Sequence, residues 1–274
     1  MKDEALQIGR YEIFVFNDGL FEAKAEYLHH LDGPAACAAA VEGWGKTSTM
    51  LDVNAFALRG PDGDMLIDTG AGTAWGSGFG HARAAMAANG FTPESFTRIL
   101  LTHIHGDHAY GLLNDDGTAY FPNAEILVPQ VDLAFFGDPA LRETVPEARR
   151  GGFVVADTLR QAYGSRIRSL SPGPILEGIE AIALPGHTPG QMGYRLQGGD
   201  RDLLLLADAL HIAELQLADP RLGLVFDLDP AQSATTRLAT LEQAADHGWI
   251  VGGGHLHGFG RIERAQAGFR MTGL

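Results

Sequence analysis

The segment Thr102-His103-Ile104-His105-Gly106-Asp107-His108 constrains this chain more than any other. Three histidines and an aspartate fall within six residues, directly after the apolar run Ile99-Leu100-Leu101. Imidazole and carboxylate are the groups that hold zinc and related borderline metals. A hydrophobic core has no use for four of them packed this tightly, so the expected setting is a metal site, and one for two metals. In an extended chain His103 and His105 point to the same side, because the side-chain period is two. Gly106 then permits a tight turn, and Asp107 and His108 enter from the start of a following helix.

Two metals need more ligands than this segment offers. Three later residues stand just after apolar strands. His187 follows Ile182-Ala183-Leu184-Pro185-Gly186, Asp208 follows Leu203-Leu204-Leu205-Leu206-Ala207, and His255 follows Ile250-Val251 and a glycine run. Strand ends are where sheets present functional groups to a shared cleft. The Asp208 carboxylate can bridge two cations, and its position also suits a helix N-cap. His257 competes with His255 for the same role; the glycines and the strand end favour His255. His29, His30, His81 and His247 read as surface residues.

The 274 residues, 45% hydrophobic and 20% charged, suit a folded chain with a sizeable core. A formal net charge of -14 argues against a basic nucleic-acid surface. Cys37 is the one cysteine, which rules out an internal disulfide and favours a reducing compartment. No apolar stretch is long enough for a membrane span, and Met1 to Ala5 carry acids rather than a secretory signal, so a cytoplasmic location is expected. No Gly-x-Ser-x-Gly supports a serine hydrolase, and Gly45-Lys46-Thr47 lacks the upstream glycines of a phosphate binder.

Tyr11 to Phe16 reads as a first strand closed by Asn17-Asp18-Gly19, followed by an irregular arm around 21-49 with one short helix. Asn54 to Arg59 and Met65 to Asp68 read as a hairpin about Gly60-Pro61-Asp62-Gly63, and His81 to Asn89 as a helix. Strands are expected at Arg98 to Leu101, Glu125 to Val128, Ile167 to Leu170, Ile179 to Leu184, Tyr194 to Leu196 and Leu203 to Ala207. A helical stretch is expected near Val131 to Phe136, and residues 137 to 152 read as a mobile excursion. Asp229 and Pro230 cap and start a helix over Ala231 to Ala245, and Ile250-Val251 reads as a short last strand. Hairpins alternating with helices predict a single mixed α/β domain over 1-274.

The order HxHxDH, then Gly186-His187-Thr188-Pro189-Gly190, then Ala207-Asp208 and Gly254-His255, resembles the metallo-β-lactamase superfamily. Leu66-Ile67-Asp68-Thr69-Gly70 is similar to its early aspartate motif. The resemblance runs from about residue 10 to residue 262. It implies a four-layer αββα sandwich with a dinuclear centre, usually two zinc ions. One metal would take His103, His105 and His187, the other Asp107, His108 and His255, with Asp208 bridging and Asp68 orienting a ligand histidine.

Within the superfamily the chain most resembles the branch of methyl parathion hydrolase, lactonases and aryl esterases. Supporting segments are Asp52-Val53-Asn54-Ala55-Phe56, Phe121-Pro122-Asn123-Ala124, Asp208-Ala209-Leu210-His211, and Asp227-Leu228-Asp229-Pro230 with Arg237. The chain departs from the branch after His255, where Leu-His-Gly-Phe-Gly stands in place of a longer proline-rich stretch. His211 occupies the place where smaller acyl-homoserine lactonases carry tyrosine. The resemblance implies hydrolysis of lactones, aryl or alkyl esters, or phosphotriesters by a metal-bridging hydroxide, with Asp107 and His211 as catalytic candidates. Trp75, Phe79, Leu224 and Phe226 are the candidate substrate-binding residues. The alternatives are a thioesterase of the glyoxalase II type, a mononuclear iron persulfide dioxygenase, a β-lactamase, or a non-catalytic metal-binding module. The expected partner is a small ester or lactone, with no nucleic acid and no membrane, and a homodimer is expected by resemblance.

Overall fold

The computed structural model describes residues 5-274. Two seven-stranded sheets lie face to face, and helices cover both outer sides, the αββα order that the resemblance implies. The first sheet runs in space Leu6–Ile8, Tyr11–Lys24, Ser48–Gly60, Gly63–Ile67, Phe96–Leu100, Glu125–Pro129, Ile167–Leu170. Its early pairs are antiparallel hairpins, and its last four strands are parallel. The second sheet runs Phe269–Gly273, Gly260–Arg264, Ile250–Gly252, Leu203–Leu205, Met192–Leu196, Ile179–Ala183, Gly173–Leu176.

The strand period of two sorts side chains into two cores. Ile13, Phe56, Leu58, Met65 and Ile67 point between the sheets, where they meet Tyr194, Leu203, Leu205 and Ile250. Phe14, Phe16, Ala55, Ala57 and Leu66 point the other way, into the core that contains Ala82 and Met86 of helix His81–Ala88 and Phe153 and Leu159 of helix Gly151–Tyr163. Each large apolar side chain so buried contributes about 1.5–3 kcal/mol. On the far side, Leu241 and Ala244 of helix Pro230–His247 pack with Leu204, Val251 and Ile262 of the second sheet. Asp229 caps that helix by accepting from the Gln232 backbone N–H at 3.0 Å, and Pro230 opens it, as the sequence predicts.

Several expectations need correction. The first long strand does not close at Asn17-Asp18-Gly19. It bulges between Asn17 and Gly19 and continues to Lys24. Asp18 is buried at the bulge and accepts from the backbone N–H groups of Gly72 and Ala82, which gives a polar triplet its place inside a strand. Residues 21-49 are not an irregular arm. They finish that strand, form strand Leu28–His30 against Leu222–Leu224, build helix Pro34–Trp44 and begin the next long strand at Ser48.

The stretch 137-152 carries helix Pro139–Thr144 and leads into helix Gly151–Tyr163. Gly151-Gly152 conceals the start of that second helix from a propensity reading, but its stripe of Phe153, Ala156, Leu159 and Tyr163 is buried. Ile250–Gly252 is not the last strand, since Gly260–Arg264 and Phe269–Gly273 extend the sheet edge with partly polar faces. His30 is buried against Asp219 rather than exposed.

Candidate metal centre

Parallel pairing brings the chemistry to one end of both sheets. Strands Gly63–Ile67 and Phe96–Leu100 are parallel neighbours, so Asp68 and the His103 segment leave the first sheet side by side. Strands Leu203–Leu205 and Ile250–Gly252 are parallel neighbours in the second, so Asp208 and His255 leave together. Among the described residues, the two non-glycine positions of positive φ are Asp68 (56°) and Ala207 (52°), both beside this site. Such conformations cost about 1–3 kcal/mol each and persist where the surroundings hold them.

The side chains form three overlapping groups of donors: His103, His105 and His187; Asp107, His108, Asp208 and His255; and His187, Asp208 and His211, the donor atoms of each group lying within 4.8 Å of one another. His105 Nδ1 is 3.1 Å from His103 Nε2 and 2.9 Å from His187 Nε2. Tetrahedral nitrogen ligands around one zinc stand about 3.3 Å apart, given bonds of about 2.0–2.1 Å. Asp208 lies between the first two groups. Its Oδ1 is 3.2 Å from His108 Nε2, and its Oδ2 is 3.2 Å from His255 Nε2 and 3.4 Å from His187 Nε2. Asp107 Oδ2 is 3.5 Å from His255 Nε2.

Outward hydrogen bonds fix which nitrogen faces inward. His108 Nδ1 donates to Asp68 Oδ2 at 2.8 Å, and His255 Nδ1 donates to the Asp52 carbonyl at 2.7 Å. His187 Nδ1 donates to Asp227 Oδ1 at 3.0 Å. His103 Nδ1 lies 3.0 Å from Thr102 Oγ1, which donates to Asp68 Oδ2 at 2.8 Å. Each of these four rings therefore turns Nε2 toward the cluster, the nitrogen that would bind a metal once unprotonated.

The residues fit a divalent metal. His108 Nε2 and Asp208 Oδ1 are buried with no hydrogen-bond partner, although they face each other. Burial holds His103 well below the usual imidazole range and brings His105 down to about 3, so both offer neutral lone pairs. His108 moves the other way. Burial opposes its charge, but Asp208, Asp107 and Asp68 together raise it well above the ordinary value. Asp208 is driven well below the carboxylate range by His108, His255 and the other rings around it, against its own burial. A proton on His108 thus occupies a place of concentrated negative charge that a divalent cation fills better, and metal uptake there would release it.

A pocket of about 420 Å³ opens above the cluster. His105, Asp107, Arg149, His187, Asp208, His211 and His255 form its polar part, and Phe21, Leu51, Trp75, Tyr110, Leu224 and Phe226 wall it. Of the four candidate substrate residues, Trp75, Leu224 and Phe226 therefore line the pocket. Phe79 does not: it packs edge-on against Trp75, with ring centroids 5.5 Å apart, and over Gly19. His211 Nε2 is 3.1 Å from Asp208 Oδ2, so it joins the cluster's rim. His255 is buried in the site, whereas the His257 side chain is fully exposed and pairs with Asp52.

Sequence reasoning assigns no role to Asp227 or Asp132. Asp132 is buried and accepts from the Ile104 N–H, Thr188 Oγ1 and the Gly190 N–H, tying the His103–His105 turn to the His187 turn. Burial raises its pKa to about 6 against those hydrogen bonds. The only sequence signal was Asp227's place in a branch motif; Asp132 stands in an ordinary helix pattern.

The family profile described as the metallo-beta-lactamase superfamily matches residues 48-255. Among solved structures, the chain is similar to hydrolase AbOPH of the beta lactamase superfamily at 26% identity, with a TM-score of 0.88 over 98% of this chain and 96% of that one. It also shares its fold with AidC, a dizinc quorum-quenching lactonase bound to its product, at 21% identity, with a TM-score of 0.85 over 98% and 96%. Curated relatives match over shorter stretches. The uncharacterized protein YobT of Bacillus subtilis (strain 168) is 33% identical over 97 residues, which are 35% of this chain and 39% of that protein. Ribonuclease Z of Streptococcus equi subsp. zooepidemicus (strain H70) is 30% identical over 125 residues, 44% of this chain and 38% of that protein. The chain thus spans about two fifths of the curated relatives it matches. With the ordered motifs, the paired sheets, the convergent histidines and a matching family profile, the chain belongs to the metallo-beta-lactamase superfamily.

Proposed function

We propose that this protein is a dinuclear metallohydrolase that cleaves lactones or aryl and alkyl esters. The observation that carries this reading is the placement of two convergent donor groups at the base of a small pocket with aromatic and aliphatic walls. His103, His105 and His187 would hold one ion, Asp107, His108 and His255 the other, and Asp208 would bridge them. Two divalent ions bound there would lower the pKa of a water molecule and polarise the scissile carbonyl.

The chain's own residues divide the remaining work. Trp75, Phe226 and Leu224 exclude water and hold the apolar part of the substrate. Asp107, with its carboxylate at the pocket edge, is placed to hand a proton from the attacking water to the leaving oxygen. His211, kept neutral mainly by burial, holds Asp208 Oδ2 through Nε2, the oxygen that His255 and His187 also face. The kinship with structures of lactonases supports this substrate class. A polyanionic RNA substrate suits a pocket of about 420 Å³ in a chain of net charge -14 poorly.

The test is a panel of lactones, aryl esters, thioesters, phosphotriesters and β-lactams assayed on protein reconstituted with zinc, manganese, cobalt or iron, with metal counted per chain. Lactone or ester turnover that needs two ions is the expected result. Turnover confined to thioesters or β-lactams, or a single iron that supports oxidation instead, would replace the proposal.

A further inference from the structure

Asp227 lies behind His187, between Phe226 and helix Pro230–His247, and is completely buried. One carboxylate oxygen, Oδ1, accepts from His187 Nδ1. The other, Oδ2, has no hydrogen-bond partner. Two nitrogen-bearing side chains nevertheless face it: Arg237 Nη2 at 3.6 Å and His29 Nε2 at 3.8 Å, the latter also buried without a partner.

The surroundings are shaped to bring these groups together. Strand Leu28–His30 pairs with Leu222–Leu224, setting His29 opposite Gly223. A Cβ on Gly223 would lie 2.5 Å from the His29 ring and 2.8 Å from Asp227 Oδ2, so only glycine leaves room for the imidazole to reach the carboxylate. Arg237 is buried and donates to the carbonyls of Ala209 at 2.7 Å, Pro220 at 2.7 Å and Leu222 at 2.8 Å. It therefore links Asp227 to the residue that follows Asp208. A carboxylate buried this deeply persists only with opposite charge and hydrogen-bond donors around it, and here they all converge on the back of one cluster histidine.

We propose that Asp227 is the positioning residue of His187, and that His29 and Arg237 hold Asp227 in place. A path then runs from strand Leu28–His30 through His29 and the buried Asp227 to the His103, His105 and His187 metal position. The inference rests on the metal-binding reading of the site and adds which ion the path controls. By orienting His187 and enriching its Nε2 lone pair, Asp227 sets the affinity of that position, whereas Asp68 holds His108 of the other directly and meets His103 only through Thr102.

The test is cobalt(II) titration of metal-free protein, followed by visible absorption and by chelator competition. Wild type should take up two equivalents. Asp227→Ala should bind one of them about 10–100-fold more weakly, with an altered visible band, and Asp227→Glu should recover part of the loss. His29→Ala should weaken the same equivalent to a smaller extent. If Asp227→Ala does not fold, Asp227→Asn and His29→Ala carry the same comparison. Folded variants that bind both equivalents with wild-type affinity and spectrum would overturn the proposal while leaving the metal reading intact. A wild type that takes up no cobalt would overturn both.

Discussion

His105 differs from the other histidines of the cluster in the nitrogen it offers. It faces its neighbours through Nδ1, while His103, His108, His187 and His255 face inward through Nε2. The spacing of His103 and His105 announces two rings on one side of an extended chain, but it is silent on which atom each presents. His103→Ala removes a fully buried donor from the three-histidine group, and elemental analysis should show it retaining about one ion or fewer per chain. Gly186 is fixed as tightly as the buried His187 beside it. Its φ is 132°, and a Cβ would lie 2.2 Å from the Ser233 backbone nitrogen. Gly186→Ala should therefore displace His187 and cost about 2–4 kcal/mol, read as a lower Tm together with reduced metal content. At this scale the ligand types were legible because histidine and aspartate are rare in tight clusters. The Asp52 carbonyl that accepts from His255 was not, because a backbone acceptor leaves no mark on the sequence.

Strand Leu28–His30 shows how a short element joins a distant site. It is held to Leu222–Leu224 by three register pairs and by Asp219, which accepts from Arg221 and His30. The Arg221 hydrogen bonds hold the Asp219 carboxyl well below the usual carboxylate range, with His30 adding to this against partial burial. A folded-state pKa below the unfolded one means that the stabilisation is complete above about pH 4 and fades as pH falls below it. Asp219→Asn should lower the Tm at pH 7 by about 2–4 °C, equivalent to about 1 kcal/mol after allowing for its 30% exposure, and the gap should narrow steadily below pH 4. The walls of the pocket come from equally separate elements. Trp75 sits in a turn after Gly72, and Phe226 follows the Leu222–Leu224 strand. Trp75→Ala should raise the KM of aryl esters several-fold more than that of short alkyl esters, with kcat little changed, as measured by steady-state kinetics. Hairpins and the Pro230–His247 helix were legible from period and caps. Helix Gly151–Tyr163 was hidden by its two leading glycines, and the 21-49 segment by its alanine-rich composition, since what orders both is packing against distant strands.

At the scale of the molecule, two sheets close over a cluster of imidazoles and carboxylates that is costly to bury without a cation. Metal binding is therefore coupled to folding. Chelation should abolish hydrolysis and lower the Tm, and returning zinc in excess should restore both, as followed by calorimetry beside the activity assay. Activity that survives full metal removal would count against the whole reading. Among the described residues, no helix is long and apolar enough to cross a membrane. The sequence by itself determined a mixed α/β chain and a cluster of residues suited to metal, because donor chemistry and strand period are local properties of the chain, and the order of its motifs carried the resemblance to the superfamily and its sandwich. Only the tertiary structure decided which nitrogen each ring presents, that Asp208 stands between the two groups, that Phe79 backs the pocket wall instead of lining it, and that Asp227 and His29 lie behind His187. Those facts depend on which strands pair and which loops meet, and residues nearly 200 positions apart, such as His29 and Asp227, are brought together only by the packing of the whole chain.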